Sequence, residues 1–348
     1  MMNQHDKYMH RCLELAVRGL GKVAPNPMVG CVIVGDNGIL GEGHHDTFGG
    51  AHAEVNAINS VENKAALSTG TLYVNLEPCA HHGKTPPCTD AIIASGIKNV
   101  VIGCSDPNPL VKGKGIEKLK EAGISVEVGP LERDCMEVNK RFFTFHERKR
   151  PFIILKWAQS SDGFIDRKRT KEEAPAKITQ DEVQIMVHLW RSQEQAIMVG
   201  THTIIMDNPN LTARKVSGRS PTRIVLDKSL KIPSDAHVFN KDAPTLIFTE
   251  QPAPANNGVE YLHIAFDAKL LQNMLTELYN RNLQSVIIEG GEKLLKSFIE
   301  KDLWDEAKVF YSAKALGEGV SAPSFPFPSK GEIKIGDDTL ILYRNRHM

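Results

Sequence analysis

Cysteine is scarce in this chain, with six in 348 residues. That density does not describe a disulfide-stapled secreted scaffold. Charge of one sign is not in excess either: 42 Lys and Arg face 42 Asp and Glu. Binders of nucleic acid or anionic membranes present a basic surplus, so bulk charge favours neither partner. Aromatic residues make up 6%, too few to suggest the base-stacking platforms of single-strand binders. Long apolar runs are missing. Met1 to Leu20 mixes polar and apolar residues and reads neither as a signal peptide nor as a membrane span. Internal repeats and low-complexity tracts are also absent. What the chain does have is bulk. At 41% hydrophobic, its 348 residues can bury the cores of two ordinary domains.

The apolar pattern predicts alternating helices and strands. His5 to Leu20 predicts an amphipathic helix with Met9, Leu13, Ala16, Val17 and Leu20 on one face. Strands are predicted over Val29–Val34 and Ile39–Gly43, joined by an Asp36-Asn37-Gly38 turn. Further strands are Thr71–Leu76, Asn99–Gly103 and Ser125–Val128, with helices over Ala51–Val61, Cys88–Ser95, Gly115–Ala122 and a closing helix over Leu131–Phe145. This alternation predicts a three-layer α/β unit. A charged stretch from His146 to Arg150, ended by Pro151, marks a domain boundary and divides the chain into 1–147 and 148–348. The second part repeats the α/β pattern. Its strands fall over Pro151–Ala158, Ala196–Gly200, Arg223–Leu226, Thr245–Phe248, Ser285–Glu289 and Glu306–Tyr311. Thr179-Gln180-Asp181-Glu182 has the form of a capping box opening a helix that runs to about Arg191.

His52-Ala53-Glu54, with Pro78-Cys79 and Cys88 downstream, is the pattern that carries chemistry. It offers one imidazole, two thiols and a carboxylate that need not touch a metal. Zinc held by three such ligands keeps a fourth position for water, and two thiolates offset its charge. Glu54, two residues past the His, is placed to carry a proton. The predicted helix starts beside His52 and Cys88 add positive partial charge, which favours thiolate by about 0.3–1 kcal/mol per helix end. A thiolate site implies a reducing, cytoplasmic compartment. The competing reading is a closed structural zinc knuckle with a fourth ligand from His44, His45, His81 or His82. An H-x-E pair is unusual in knuckles, whereas H-x-E followed by P-C and a later Cys is the zinc deaminase signature.

At this point the chain resembles a known family, the bifunctional riboflavin-biosynthesis enzymes that fuse a pyrimidine deaminase to a reductase. In the first half the resemblance rests on Ala24-Pro25-Asn26-Pro27-Met28-Val29-Gly30, Gly43-His44-His45 and Gly50-Ala51-His52-Ala53-Glu54. It continues through the stretch from Val74 to Cys88, Asp106-Pro107-Asn108-Pro109 and Gly113-Lys114-Gly115. Eight residues separate the two cysteines, a spacing specific to this branch. The resemblance implies a cytidine-deaminase-like α/β/α domain with Zn²⁺ at His52, Cys79 and Cys88, and Glu54 as proton shuttle. It also implies substrate contacts at Asn26, His45, Lys84, Asp106 and Asn108.

In the second half, the matching pieces run from Lys156 to Gly163, Leu189-Trp190-Arg191, Met198 to Thr203, Asp207 to Arg214, Arg223 to Asp227 and Ile287 to Gly291. Their order is what is specific. A G-x-G-x-x-G fingerprint is missing, so a Rossmann site is not supported. The resemblance implies a dihydrofolate-reductase-like α/β domain using NADPH. Arg191, Leu211, Arg214 and Glu289 are expected to hold the substrate, with Arg191 and Arg214 on its phosphate. Ala158, Thr203, Asp207 and Gly291 are expected to hold the cofactor. One segment departs from the family. Where Ser-x-Trp-Ile-Thr is usual, the chain has Pro175-Ala176-Lys177-Ile178-Thr179. Either Lys177 pairs with a cofactor phosphate or this charged segment is solvated. The expected partner is a small phosphorylated pyrimidine, with no nucleic acid and no membrane, in a homo-oligomer. Competing readings are a deaminase with an inactive or altered reductase half, and a structural-zinc nucleic-acid module.

Overall fold

The computed structural model describes residues 3–82, 86–252 and 258–346. The chain divides into two compact units, Met1–Lys149 and Arg150–Met348.

The first unit contains β1 (Gly30–Gly35), β2 (Gly38–His44), β3 (Thr71–Leu76), β4 (Asn99–Cys104) and β5 (Ser125–Val128). They form one sheet in the order β2-β1-β3-β4-β5. β1 runs antiparallel to β2 and β3, while β3, β4 and β5 are mutually parallel. Its helices are α1 (Gln4–Ala16), α2 (Ala53–Ser60), α3 (Cys88–Ala94), α4 (Lys114–Glu121), α5 (Glu132–Val138) and α6 (Lys140–Arg148).

Successive strand residues point to opposite faces, and the sequence fills both with apolar side chains. Val32, Val34 and Tyr73 pack with Met9, Leu13 and Phe142, under α1, α5 and α6. Cys31, Ile33, Leu72 and Val74 pack with Ala53, Ala57, Ile92 and Leu119, under α2, α3 and α4. The result is the three-layer unit that the alternation predicts. Gly43 allows α2 its close approach to the sheet: a Cβ there would lie 2.4 Å from the carbonyl oxygen of Ala53 and from the nitrogen of Ala57.

Two local expectations change. The first helix ends at Ala16 and continues as a single 3₁₀ turn, Val17–Gly19, so Val17 is exposed while Met9, Leu13 and Ala16 are buried. The predicted closing helix is two helices, broken at Asn139. The Asn139 side chain is occupied elsewhere. Its Oδ1 accepts the Met28 N–H at 2.7 Å and its Nδ2 donates to the Met28 carbonyl at 2.9 Å. Asn75 completes this clamp, donating to the Met28 carbonyl at 3.1 Å and accepting the Gly30 N–H at 2.8 Å.

The second unit contains β6 (Phe152–Gln159), β7 (Phe164–Asp166), α7 (Asp181–Gln193), β8 (Ala196–Gly200), α8 (Thr201–Asp207) and β9 (Thr222–Leu226). β10 (Thr245–Thr249), β11 (Val259–His263), α9 (Leu270–Asn280), β12 (Ser285–Ile288), α10 (Glu292–Glu300) and β13 (Glu306–Tyr311) follow. Last come β14 (Val320–Ser321), β15 (Ser329–Ile335) and β16 (Asp338–Arg344). The main sheet has the order β11-β10-β9-β8-β12-β6-β13-β16-β15. It is parallel from β11 to β13; β16 then runs antiparallel to both β13 and β15. α9 and α10 cover one face through Leu271, Met274, Leu295 and Phe298. α7 and α8 cover the other through Val183, Val187, Trp190 and Ile204.

The Thr179 capping box does not form. Gln180 is the N-cap residue, and its N–H is bonded to Asp338 of β16 at 2.8 Å. The charged segment after β7 is largely exposed to solvent but is anchored at Arg169. Arg169 bonds to Asp166 at 2.7 Å, to the carbonyls of Glu173 and Met206, and to Asp207. Among the described residues, no helix is long and apolar enough to cross a membrane.

Candidate active sites

In the first unit, the site lies where β3 ends and two helices begin. His52 is the N-cap residue of α2 and Cys88 is the first residue of α3. Pro78-Cys79 follows β3. The ligand atoms of His52, Cys79 and Cys88 all lie within 4.8 Å of one another. Nδ1 of His52 sits 3.0 Å from Sγ of Cys88 and 3.6 Å from Sγ of Cys79. The long excursion between the two cysteines starts and finishes at one point. The Cys88 N–H donates to the Cys79 sulfur at 3.3 Å, and the N–H and hydroxyl of Thr89 both reach the Cys79 carbonyl at 3.2 Å.

Hydrogen bonds from Cys88 and His52 draw the Cys79 thiol down to about 4, overcoming its burial. Cys88 is pushed up, first by its bond to Cys79 and then by burial. A divalent cation would stabilise both sulfurs as thiolates together. The set of two sulfurs and one imidazole nitrogen suits zinc, and it leaves a coordination position open. Glu54, in the first turn of α2, is 3% exposed. Burial, reinforced by the charge at Cys79, raises its carboxyl above the usual range. A carboxyl so placed takes up and releases a proton nearer neutrality than an exposed one does.

The expected substrate residues gather around this cluster. Nδ2 of Asn26 lies 3.1 Å from Nε2 of His45, and Nδ1 of His45 lies 3.0 Å from the Ala51 carbonyl. Burial lowers the His45 pKa, which favours the neutral ring. In that form Nδ1–H donates to Ala51 and Nε2 accepts from Asn26. The His45 and His52 rings meet edge to face with centroids 5.2 Å apart. Asp106 is buried just beyond β4 and accepts the Asn108 N–H at 2.7 Å. Burial pushes its carboxyl up to about 7, with the charges of Glu77 and Cys79 adding to the effect. Lys84 lies outside the described residues.

In the second unit, a largely buried charge cluster brings together Lys156 of β6, Arg191 of α7 and Glu289 just past the end of β12. Arg191 donates from Nε and Nη2 to the two oxygens of Glu289 at 2.9 and 2.8 Å, and from Nη1 to the Thr212 carbonyl at 3.3 Å. The Lys156 ammonium lies 3.7 Å from Glu289. Burial opposes the charge on Glu289, but Arg191 and Lys156 outweigh it and hold the carboxyl at about 2. The expected phosphate fork of Arg191 is thus engaged with Glu289, while Arg214 is exposed.

Gly291 is the N-cap residue of α10, and no side chain caps that end. A Cβ on Gly291 would meet only the Thr203 hydroxyl, at 3.8 Å. This small, donor-rich corner suits a phosphate of a dinucleotide. Ala158 is half-buried near the end of β6. Leu211 is buried at a positive φ of 54°. Asp207 is held by Arg169, and Lys177 by Asp181 at 2.9 Å on the surface. Sequence reasoning passed over Lys156, although a lysine inside the apolar run Phe152–Ala158 is itself a signal. It also passed over Asn75, Asn139 and Glu77.

Comparison with known proteins agrees with both halves. Residues 2–104 match the family model of the cytidine and deoxycytidylate deaminase zinc-binding region, and residues 151–332 match that of the RibD C-terminal domain. The riboflavin biosynthesis protein RibD of Aquifex aeolicus is 40% identical over 362 residues, covering 99% of each chain. A crystal structure of a diaminohydroxyphosphoribosylaminopyrimidine deaminase/5-amino-6-(5-phosphoribosylamino)uracil reductase from Thermotoga maritima superimposes with a TM-score of 0.88, at 39% identity and 98% coverage of both chains. RibD of Acinetobacter baumannii gives the same TM-score at 33% identity, with 97% of this chain and 98% of the other covered. With a zinc-type donor set in the first unit, a largely buried charge cluster in the second and likeness along nearly the whole length, the chain belongs to the RibD family of riboflavin biosynthesis proteins.

Proposed function

We propose that the first unit hydrolytically deaminates 2,5-diamino-6-(5-phospho-ribosylamino)pyrimidin-4(3H)-one, and that the second reduces the ribosyl group of the product with NADPH, giving the ribitylamino compound. The observation that carries the reading is the buried Glu54 beside His52, Cys79 and Cys88: a proton-carrying group next to a metal donor set it does not belong to. His52, Cys79 and Cys88 would hold Zn²⁺, which when bound supplies the Lewis acidity that makes water nucleophilic near neutral pH. Glu54 takes the proton from the attacking water and delivers it to the leaving amine, so that ammonia departs. Asn26 and His45 act as one hydrogen-bonded pair that orients the ring. Asp106 and Asn108, on the loop after β4, complete the pocket wall.

In the second unit, NADPH when bound supplies the hydride. Gly291, Thr203, Ala158 and Asp207 are the residues proposed to hold it, with phosphate at the open end of α10. Arg214, which is exposed, is the residue proposed to meet the substrate phosphate. Glu289, fixed by Arg191 and Lys156, offers a carboxylate to the sugar hydroxyls. The protein is further proposed to act in the cytoplasm as a homo-oligomer, without nucleic-acid or membrane partners. The test is to incubate zinc-loaded protein with the diamino substrate and follow ammonia release and NADPH oxidation separately. Ammonia without NADPH oxidation would leave a deaminase with an altered second half. Neither signal would end the proposal.

A further inference from the structure

We propose that Glu77 is a positioning residue of the deaminase. It fixes the loop carrying Asp106 and Asn108 against the Pro78-Cys79 turn, and so sets substrate affinity rather than metal binding. This rests on the reading of Asp106 and Asn108 as substrate contacts.

Glu77 stands between the last residue of β3 and the metal turn and is 3% exposed. Its carboxylate accepts four backbone N–H groups. Oε1 takes those of Gly115 at 3.0 Å and Ile116 at 3.3 Å; Oε2 takes those of Asp106 at 3.2 Å and Gly113 at 3.0 Å. A carboxylate has about four acceptor positions, so this one is fully used. It has no capacity left to bind a cation or accept from substrate.

The four donors lie at the two ends of one segment. Asp106 opens it; Gly113, Gly115 and Ile116 close it and begin α4. Between them the loop bonds within itself. Asp106 accepts from Asn108, the Asn108 side chain from the Leu110 N–H at 3.1 Å, and the Asn108 carbonyl from Val111 and Lys112 at 2.8 and 2.9 Å. The loop is therefore a semi-rigid piece buckled at both ends to one side chain. The sequence makes room for the buckle. Gly113 has a positive φ of 79°, and a Cβ on Gly115 would fall 2.0 Å from the Pro78 carbonyl oxygen. The start of α4 also favours a negative charge at this point.

The metal turn has supports of its own. Thr89 holds the Cys79 carbonyl twice, and the Cys88 N–H holds the Cys79 sulfur. Loss of Glu77 leaves these in place. What it strands are the N–H groups of Asp106 and Gly115, which are buried, and those of Gly113 and Ile116, which are partly buried, so the two ends of the substrate loop must move to find partners.

The experiment uses full-length protein. Glu77→Gln keeps the side-chain shape but turns an amide NH₂ toward N–H donors. It is expected to retain one zinc per chain and wild-type reductase kinetics, with the deaminase KM raised about tenfold and kcat changed by less than about threefold. Asn108→Ala should raise KM by itself. In the Asn108→Ala background Glu77→Gln should then add less than about twofold, because both act through one loop. Loss of zinc in Glu77→Gln, an unchanged KM, or fully additive effects would overturn the proposal. A raised KM in Asn108→Ala beside a wild-type KM in Glu77→Gln defeats this inference alone; a wild-type KM in Asn108→Ala removes the substrate reading, and this proposal falls with it. If Glu77→Gln does not fold, Gly113→Ala, at a positive φ of 79° and with no atom within 4 Å of the added Cβ, strains the far end of the loop without touching the carboxylate or the Pro78-Cys79 turn, and should give the same KM rise with zinc retained. Failure of both variants to yield zinc-loaded protein would make Glu77 a folding residue and overturn the proposal.

Discussion

The Arg191 guanidinium meets the Glu289 carboxylate fork to fork, with N–O distances of 2.9 and 2.8 Å, in a place where both side chains are nearly buried. The arginine that the family resemblance put on the substrate's phosphate is thereby also the partner that keeps Glu289 ionised. Breaking a buried pair from one side typically costs about 3–5 kcal/mol, because the remaining charge is stranded. Arg191→Ala is accordingly expected to lower the thermal midpoint of the second unit and to weaken its reductase activity. Arg214→Ala, at an exposed position, should shift stability by no more than about 0.5 kcal/mol while raising the KM for substrate and leaving that for NADPH unchanged. Calorimetry combined with reductase kinetics on both variants checks the split. Equal stability losses would show that Arg214 is structural too.

Glu54→Gln is expected to retain zinc and lose deamination by about 10²–10⁴-fold, with NADPH oxidation on the deaminated intermediate unaffected. Metal analysis and ammonia release measure the two halves of that statement. Near-normal ammonia release would remove Glu54 from the role given to it here.

Acid should destabilise the second unit before its carboxylates titrate. His188 is 1% exposed, and burial, followed by the charges of Arg191, Arg214 and Lys215, lowers its pKa from 6.5 to about 4. The unfolded chain thus binds a proton near pH 6.5 that the folded one refuses until about 4. Stability from this group is complete above 6.5 and falls as pH drops toward 4. His188→Gln should flatten the fall in unfolding midpoint between pH 7 and 4.5. An unchanged slope would show that the ring is protonated in the fold at no cost.

Cutting the chain between Lys149 and Arg150 is expected to give two soluble halves. The boundary lies just past α6, which runs to Arg148, so a cut after residue 147 would trim that helix. Arg150 belongs with the second half, where it grips the buried Asp305 at 2.6 and 2.8 Å. Zinc content of 1–149 and cooperative unfolding of 150–348 are the measurements. Insolubility of either half alone would mean that the two share a core.

The metal cluster was legible in the sequence because coordination chemistry restricts both residue type and spacing, and His52, Cys79 and Cys88 do meet. Strands rich in apolar residues were legible for a similar reason: burial on two faces leaves a mark on every position. β15 left none. Its Lys330, Glu332 and Lys334 are exposed, and on its other face only Ile333 and Ile335 are apolar, too short an alternation to announce a seven-residue strand. The helix break at Asn139 was hidden because its cause, Met28, is 111 residues away. The failed capping box at Thr179 was hidden likewise, by Asp338. Local pattern reports what a residue prefers by itself; these residues answer to partners brought near only by the fold.

The clamp on Met28 changes what the end of the first unit is for. Asn139 sits after every residue that touches the proposed deaminase chemistry, yet it fixes both backbone polar groups of Met28, two positions from Asn26. A shortened chain ending at Val128 would keep the metal donors, Glu54, the five strands and Asn75, and would lose Asn139's share of the grip on the loop that aims Asn26 at His45. Substitutions in this outlying helical pair would therefore register in assays as poor substrate recognition, and a map drawn from proximity to zinc would not include them.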